Sequence, residues 1–381
     1  MKILMVAMPS LHFFRWTDQL KNAGHEVYWF DIVDGGQKVE RINWVHQIVG
    51  WKLRWNFSGR SYLKANLPKV YKFIQKINDR KTDLIFEKVL NEVKPDVVHS
   101  FALYVACTPI IKVMEKYQHL QWIYSSWGSD LFYFQNTPIY LKDIKWVLPR
   151  INFLFTDCKR DYEIAKTYGF TGEFLGVFPG GGGFPLFEMQ AYSLPLEQRK
   201  TILIKGFQGR SGRAITVLKA VQKLKEQLQD YKIVVFGADE EVFEYTAKSK
   251  LAGWSNFFIQ GKISQKEVWK LMGESLIYIG NSNSDGVPNT LLEAISMDVF
   301  PIQSNPGGVT EEVIEHGVNG LFIGNCEDVN EIENNISHAI NSPLLLQKAL
   351  LINKQFKENL SDQKIQNEVI KCYEKLNYSK N

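Results

Sequence analysis

Along the chain, short apolar runs alternate with longer stretches whose apolar residues recur at helical spacing. Ile3–Met8 is such a run, followed by a helical pattern from about Phe13 to Ala23 and then by Val27–Phe30 after Gly24. Asp96–Ser100, Trp122–Ser126 and Phe153–Thr156 repeat the theme, which predicts a parallel sheet covered on both faces. Gly180–Gly183, Pro185 and the polar Ser193–Lys200 interrupt it, placing a linker at about 185–200. The alternation restarts with Thr201–Lys205, a helix from about Arg213 to Leu228, Ile233–Phe236, Phe257–Gln260, a helix over Gln265–Met272 and Leu276–Ile279. The tail from about 345 to 377 reads as helical and rich in Lys and Glu. Two consecutive α/β halves predict two doubly wound domains facing each other across a central cleft, with ligands beyond the carboxyl ends of the strands.

A chain of 381 residues buries two ordinary cores, and 45% hydrophobic with 23% charged residues suits a folded, water-soluble protein. A net charge of +4 is too small to point to nucleic acid. Cys107, Cys158, Cys326 and Cys372 are scattered without metal-ligand spacing, which suits a reducing compartment and no structural zinc. Met1–Met8 is read as a buried strand rather than a signal peptide, because Pro9, His12 and Arg15 follow at once. No run reaches the roughly 18 apolar residues of a membrane span, so a cytoplasmic location is expected.

One stretch departs from this balance. Residues 41–80 hold nine Lys or Arg against one acid, Asp79, interleaved with Trp44, Trp51, Trp55, Phe57, Tyr62, Tyr71 and Phe73. That composition over 44–76 fits an anionic membrane surface and a peripheral location on the inner face of the cytoplasmic membrane; it fits equally an amphipathic cover helix with a solvated basic face. It carries no RNA-binding motif.

The chemistry concentrates at Asn281–Ala294. Asp285-Gly286-Val287-Pro288-Asn289-Thr290 reads as a loop entering a helix, with Glu293 about one turn inside. The N–H groups at Asn289 and Thr290 suit a diphosphate, and the two carboxylates suit sugar hydroxyls beside it. The bland alternative is a capping box, Thr290 with Glu293. Lys205-Gly206-Phe-Gln208-Gly209-Arg210-Ser-Gly212-Arg213 follows a strand and opens a helix, so Lys205, Arg210 and above all Arg213 are candidates to neutralise a departing diphosphate. Its glycines are spaced G-x-x-G-x-x-G, a poor match to a dinucleotide-binding fingerprint. In the first half His99 ends a strand, and Asp130 follows another through Trp127-Gly128-Ser129. Both are candidates to face the cleft, beside the bland reading of His99 as a packed core residue.

Asp285-x7-Glu293, the Leu-Leu-Glu-Ala helix, the strand with Pro301, and Gly307-Gly308-x-x-Glu311-Glu312 through Gly317-Val-Asn-Gly320 together resemble the donor-binding segment of family 4 retaining glycosyltransferases. That family has Glu where this chain has Asp285, and often His-x-His where this chain has His99-Ser100-Phe101. The resemblance implies the GT-B architecture: a Rossmann-like acceptor domain over 1–185, a Rossmann-like nucleotide-sugar domain over 186–357, and a last helix, 358–381, crossing back onto the first. It implies transfer of a sugar from a nucleotide diphosphate-sugar to a glycan or lipid-linked acceptor, in surface polysaccharide or glycoconjugate assembly. Glu293 would meet the ribose, Asp285 the donor sugar, and Gly261-Lys262-Ile263 the base. No cofactor or metal is expected, since cations and a helix end supply the charge stabilisation. Two alternatives stand beside it, a nucleotide-sugar epimerase of the same architecture and a non-catalytic nucleotide- or sugar-binding protein.

Overall fold

The structure, a computed structural model, describes residues 1–55 and 57–378. Asn56, inside the 44–76 stretch, and the end of the expected 358–381 segment lie outside the described residues. The chain divides into two compact units: Met1–Thr156, Asp161–Gly181 and the chain from Val369 onward form the first, Asp157–Arg160 and Gly182–Glu368 the second. Within the last helix, Asp362–Tyr378, the first unit resumes at Val369.

Among the described residues the first unit holds a parallel sheet of β1 (Lys2–Ala7), β2 (Glu26–Asp31), β3 (His46–Ile48), β4 (Val97–Phe101), β5 (Gln121–Ser126), β6 (Phe153–Thr156) and β7 (Glu173–Val177). Its order is β3-β2-β1-β4-β5-β6-β7. The second unit repeats the design with β8 (Thr201–Lys205), β9 (Lys232–Phe236), β10 (Phe257–Ile259), β11 (Ser275–Gly280), β12 (Phe300–Ser304) and β13 (Leu321–Ile323), in the order β10-β9-β8-β11-β12-β13. Both sheets are doubly wound, with switch points between β1 and β4 and between β8 and β11, where crevices open at the carboxyl ends of the strands.

The strands read as continuous apolar runs because both faces of each sheet are covered. Ile202 and Ile204 of β8 pack with Ile233, Val235, Ile277 and Ile279 on one face, whereas Leu203, Val234 and Tyr278 point into a separate cluster on the other. Period-2 alternation thus divides one strand between two cores. The helices follow their apolar stripes: Ala214–Lys223 buries Ala214, Val217, Leu218 and Val221, the spacing of one helical face. Gln265–Gly273 starts at a complete capping box, Ser264 with Glu267.

Three differences from the sequence reading have local causes. The helix expected to reach Ala23 stops at Asp18 and gives way to turns, with Asn22 in the left-handed region. The stretch expected as a linker forms the helix Leu186–Gln190, whose Met189 is buried in the second core. The expected 213–228 helix covers only Ala214–Lys223, with turns carrying the chain on to Leu228.

Candidate functional site

In the second unit the loops after β8 and β11 flank the switch point and are tied together. Arg213 N–H donates to the Asn281 carbonyl at 2.9 Å and Asn283 N–H to the Ser211 carbonyl at 2.9 Å. Asn281 Nδ2 returns bonds to the carbonyls of Arg213 (3.1 Å) and Cys326 (2.8 Å), while Ser304 Oγ, at the end of β12, accepts from Ser282 N–H at 2.8 Å. Main-chain and side-chain bonds together thus tie the loop that carries Asp285 to the loop after β8 and to the end of β12.

Asp285 is half-buried there. Burial raises its pKa, and the cations that oppose this are Lys205, Arg160 and Arg210; its carboxylate also accepts from the Gly286 N–H. Lys205, Arg160 and Arg210 thus act electrostatically on Asp285, and of these Arg160 is the one that the sequence did not single out. Arg160 donates to the carbonyl oxygens of Pro306 (2.7 Å) and Asp285 (2.8 Å), and its N–H meets Glu312 Oε1 at 2.9 Å. Its partners lie 125 to 152 residues away, so no local pattern announces it. Gly286 is confined by the same segment: a Cβ there would lie 2.3 Å from the Asp157 carboxylate oxygens.

The helix Asn289–Ser296 has Pro288 as its N-cap residue, without a side-chain cap bond. Thr290 is therefore inside the helix and is not its cap; its hydroxyl accepts from Tyr278 Oη at 2.8 Å. The capping-box alternative is thereby removed. Glu293, 3% exposed, instead accepts from Gln265 Nε2 at 2.8 Å. That contact brings Glu293 to the first turn of the helix that follows Gly261-Lys262-Ile263, of which Lys262 is exposed and its two neighbours half-buried. Val287 and Pro288 are buried.

Two expectations for the Lys205–Arg213 loop change. Arg213, the first choice for an anion, is the N-cap residue of its helix and turns to an ion pair with Glu327, with Nη1 on the Gly212 carbonyl at 2.6 Å. The glycines answer to packing rather than to ligand approach. A Cβ at Gly212 would sit 1.9 Å from the Phe207 carbonyl, and one at Gly206 would press on Val235 and Ala238. The N–H groups of Gln208 and Gly209 donate to Asp239 Oδ2 at 2.8 and 3.2 Å. The charge in this loop comes from Lys205 and Arg210, while the N–H groups of Gln208 and Gly209 are engaged by Asp239.

In the first unit the candidates are interior groups. β4 runs on to Phe101, so His99 lies mid-strand, fully buried and stacked on Phe101 at 4.0 Å. Its Nδ1 meets Tyr373 Oη at 2.6 Å and its Nε2 meets Ser125 Oγ at 2.8 Å. Asp130 is buried as well, accepting from Leu103 N–H at 2.7 Å and from the Tyr124 hydroxyl. These contacts secure the turn after β4 and leave both residues enclosed, which corrects the expectation that they face a ligand. The polar rings nearer the surface at this end are the exposed His12 and half-buried Trp127, 6.1 Å apart.

Burial pushes the His99 pKa well below 6.5 and raises that of Asp130 to about 7. The unfolded chain takes up a proton at His99 below about pH 6.5 that the folded chain refuses, so stability is lost as pH falls, by up to about 1.4 kcal/mol per pH unit. Asp130 acts with the opposite sign: its stabilisation is complete in acid and lost as pH rises through about 7. In denaturant unfolding, Asp130→Asn is expected to gain on wild type as pH rises, and His99→Gln to gain as pH falls. pH profiles parallel to wild type would contradict both assignments.

The second unit thus sets cations, a carboxylate and a helix N-terminus beside the switch point of a parallel α/β sheet, an arrangement that suits an anion. Residues 188–377 match the family described as glycosyl transferases group 1, and the chain belongs to that family. No curated protein sequence matches the chain. Among solved structures it is similar in fold to sucrose-phosphate synthase from Thermosynechococcus elongatus, with TM-score 0.72, 14% identity and 99% of each chain covered. A glycosyltransferase from Rickettsia africae has TM-score 0.66 at 17% identity, with 98% of each chain covered. Anabaena HepE in complex with UDP and glucose has TM-score 0.64 at 12% identity, with 98% of this chain and 100% of that one covered.

Proposed function

We propose that this protein is a retaining glycosyltransferase of the family 4 type, moving a hexosyl group from a nucleotide diphosphate-sugar to a glycan or lipid-linked acceptor in surface polysaccharide or glycoconjugate assembly. The observation that carries the proposal is a half-buried carboxylate, Asp285, in the field of Lys205, Arg160 and Arg210 at the β8/β11 switch point, with Arg160 bonded to the Asp285 carbonyl at 2.8 Å, beside the Asn289–Ser296 helix and the buried Glu293. The UDP and glucose bound by HepE fit such a site.

In this reading Lys205 and Arg210 neutralise the charge that grows on the departing diphosphate, with the helix end at Asn289 and Thr290 adding a fixed partial charge. Glu293 accepts from ribose hydroxyls, and Gly261-Lys262-Ile263 borders the base. Asp285 orients the donor sugar, and Arg160 holds its loop in place. The departing phosphate takes the acceptor proton, so no separate protein base is required, and the cations do the work of a metal. Arg213→Ala is expected to change nucleotide affinity by no more than about threefold, because its guanidinium is already paired at the surface with Glu327. Calorimetric titration with UDP, GDP and ADP would show this.

Among the described residues no helix is long and apolar enough to cross a membrane. The helix Pro68–Asn78, however, turns its apolar stripe outward: Val70, Phe73 and Ile77 are 48%, 66% and 55% exposed, with Lys69, Lys72 and Lys76 also exposed. An outward apolar stripe flanked by lysines supports peripheral contact with an anionic membrane on its cytoplasmic face.

Incubation with UDP-, GDP- and ADP-sugars, each with and without EDTA, tests the reaction. Nucleoside diphosphate released only with a glycan or lipid acceptor, and a product that keeps the donor's anomeric configuration by proton NMR, would support it. Conversion of the donor to an epimer without acceptor, or an inverted product, would overturn it.

A further inference from the structure

The first unit contains a cavity that the proposed donor site does not use. It measures about 470 Å³ and lies beyond the carboxyl ends of β2 and β3, lined among others by Asp34, Gly35, Gly36, Lys52, Arg60 and Gln75. Its walls are fixed by main-chain bonds. Asp31 Oδ1 and Oδ2 accept from Val33 N–H (3.2 Å) and Gly35 N–H (2.8 Å). Asp34, with φ of 51°, accepts from Gly50 N–H at 2.5 Å and Lys52 N–H at 2.8 Å. The one carboxylate in the lining is thus occupied with backbone donors. Arg60 is oriented by the bond from its Nε to Tyr71 Oη at 3.0 Å. Among the described residues neither Lys52 nor Arg60 enters an ion pair. Two half-buried cations, an amide and a glycine turn in a cavity of this size form a receptor for a compact anion with several acceptor oxygens.

We propose that this cavity binds a phosphate monoester or diphosphate group carried by the acceptor. Lys52 and Arg60 pair with its oxygens and Gln75 donates to it. Gln75 sits on the inner side of the helix Pro68–Asn78, opposite the outward stripe Val70, Phe73 and Ile77. One helix would therefore meet the phosphate on one side and a bilayer on the other. Calling the ligand the acceptor rests on the transferase reading; the phosphate site itself does not. The phosphate can come on a lipid or on a soluble ester, and the two sources are separable.

The test uses the full chain as wild type, Lys52→Gln and Lys205→Ala, with thermal unfolding of each variant confirming the fold. Calorimetry with inorganic pyrophosphate reads the cavity: binding weakened at least about tenfold in Lys52→Gln, in a component that Lys205→Ala retains, is the expected result. Vesicle sedimentation then compares phosphatidylcholine doped with phosphatidic acid or, at equal charge, with phosphatidylserine. A preference for phosphatidic acid that Lys52→Gln loses supports a lipid-borne phosphate. The calorimetric loss without such a preference supports a soluble phosphate ester. Lys52→Gln indistinguishable from wild type in both assays would overturn the proposal. Nucleoside diphosphate binding by the same variants reports separately on the transferase reading, since that binding is expected to fall in Lys205→Ala and persist in Lys52→Gln.

Discussion

Lys205→Ala is expected to lower turnover about 10²- to 10³-fold, with a much smaller change in the KM for the donor. Lys205 ends β8 at the switch point, half-buried, and is the foremost of the cations that oppose the rise in the Asp285 pKa. Charge on a diphosphate grows as the glycosidic bond breaks, so a fixed cation beside it contributes more in the transition state than in the ground state. Arg210 shares this work, and Lys205→Arg is expected to recover part of the lost rate. Steady-state kinetics with saturating acceptor reads the split. A rise in KM at unchanged kcat would assign Lys205 to uniform binding instead, and full activity would remove it from the site.

Glu293→Ala should act on the other parameter, raising the donor KM roughly 10- to 100-fold through loss of charge-assisted hydrogen bonds to the ribose. Glu293 is 3% exposed, and its bond from Gln265 Nε2 sets the carboxylate's orientation. Gln265→Ala is therefore expected to give a weaker version of the same defect. Comparing ribo- and 2′-deoxyribonucleotide donors distinguishes recognition from collapse of the site: the variant should lose discrimination that wild type shows. Equal discrimination in both would contradict the ribose assignment.

The alternation of apolar runs made both sheets legible, since β8 and β11 are continuous apolar segments bounded by polar loops. Two strands of the first sheet were not. β3 (His46–Ile48) and β7 (Glu173–Val177) are partly exposed edge strands, and an edge strand lacks the two-sided burial that writes an apolar run. Asp285 and Glu293 stood out because loop and helix chemistry are local. Arg160 did not, because its partners are distant carbonyls. His99 misled for the same reason: a polar residue within an apolar strand looks like a site until its partner is known. That partner, Tyr373, is 274 residues away. Arg213 was placed correctly at a helix start, but nothing in its own segment revealed Glu327.

In the proposed reading the second unit holds a nucleoside diphosphate at the β8/β11 switch point. Thermal unfolding with UDP, GDP, ADP, CMP and NAD, each with EDTA or magnesium, tests it most directly. A ligand at about 100 times its dissociation constant adds roughly 2.7 kcal/mol to the folded state. The expected result is a metal-independent rise in Tm with a nucleoside diphosphate that is lost in Glu293→Ala. A rise with NAD alone, or one that Glu293→Ala and Lys205→Ala both retain in full, would contradict it.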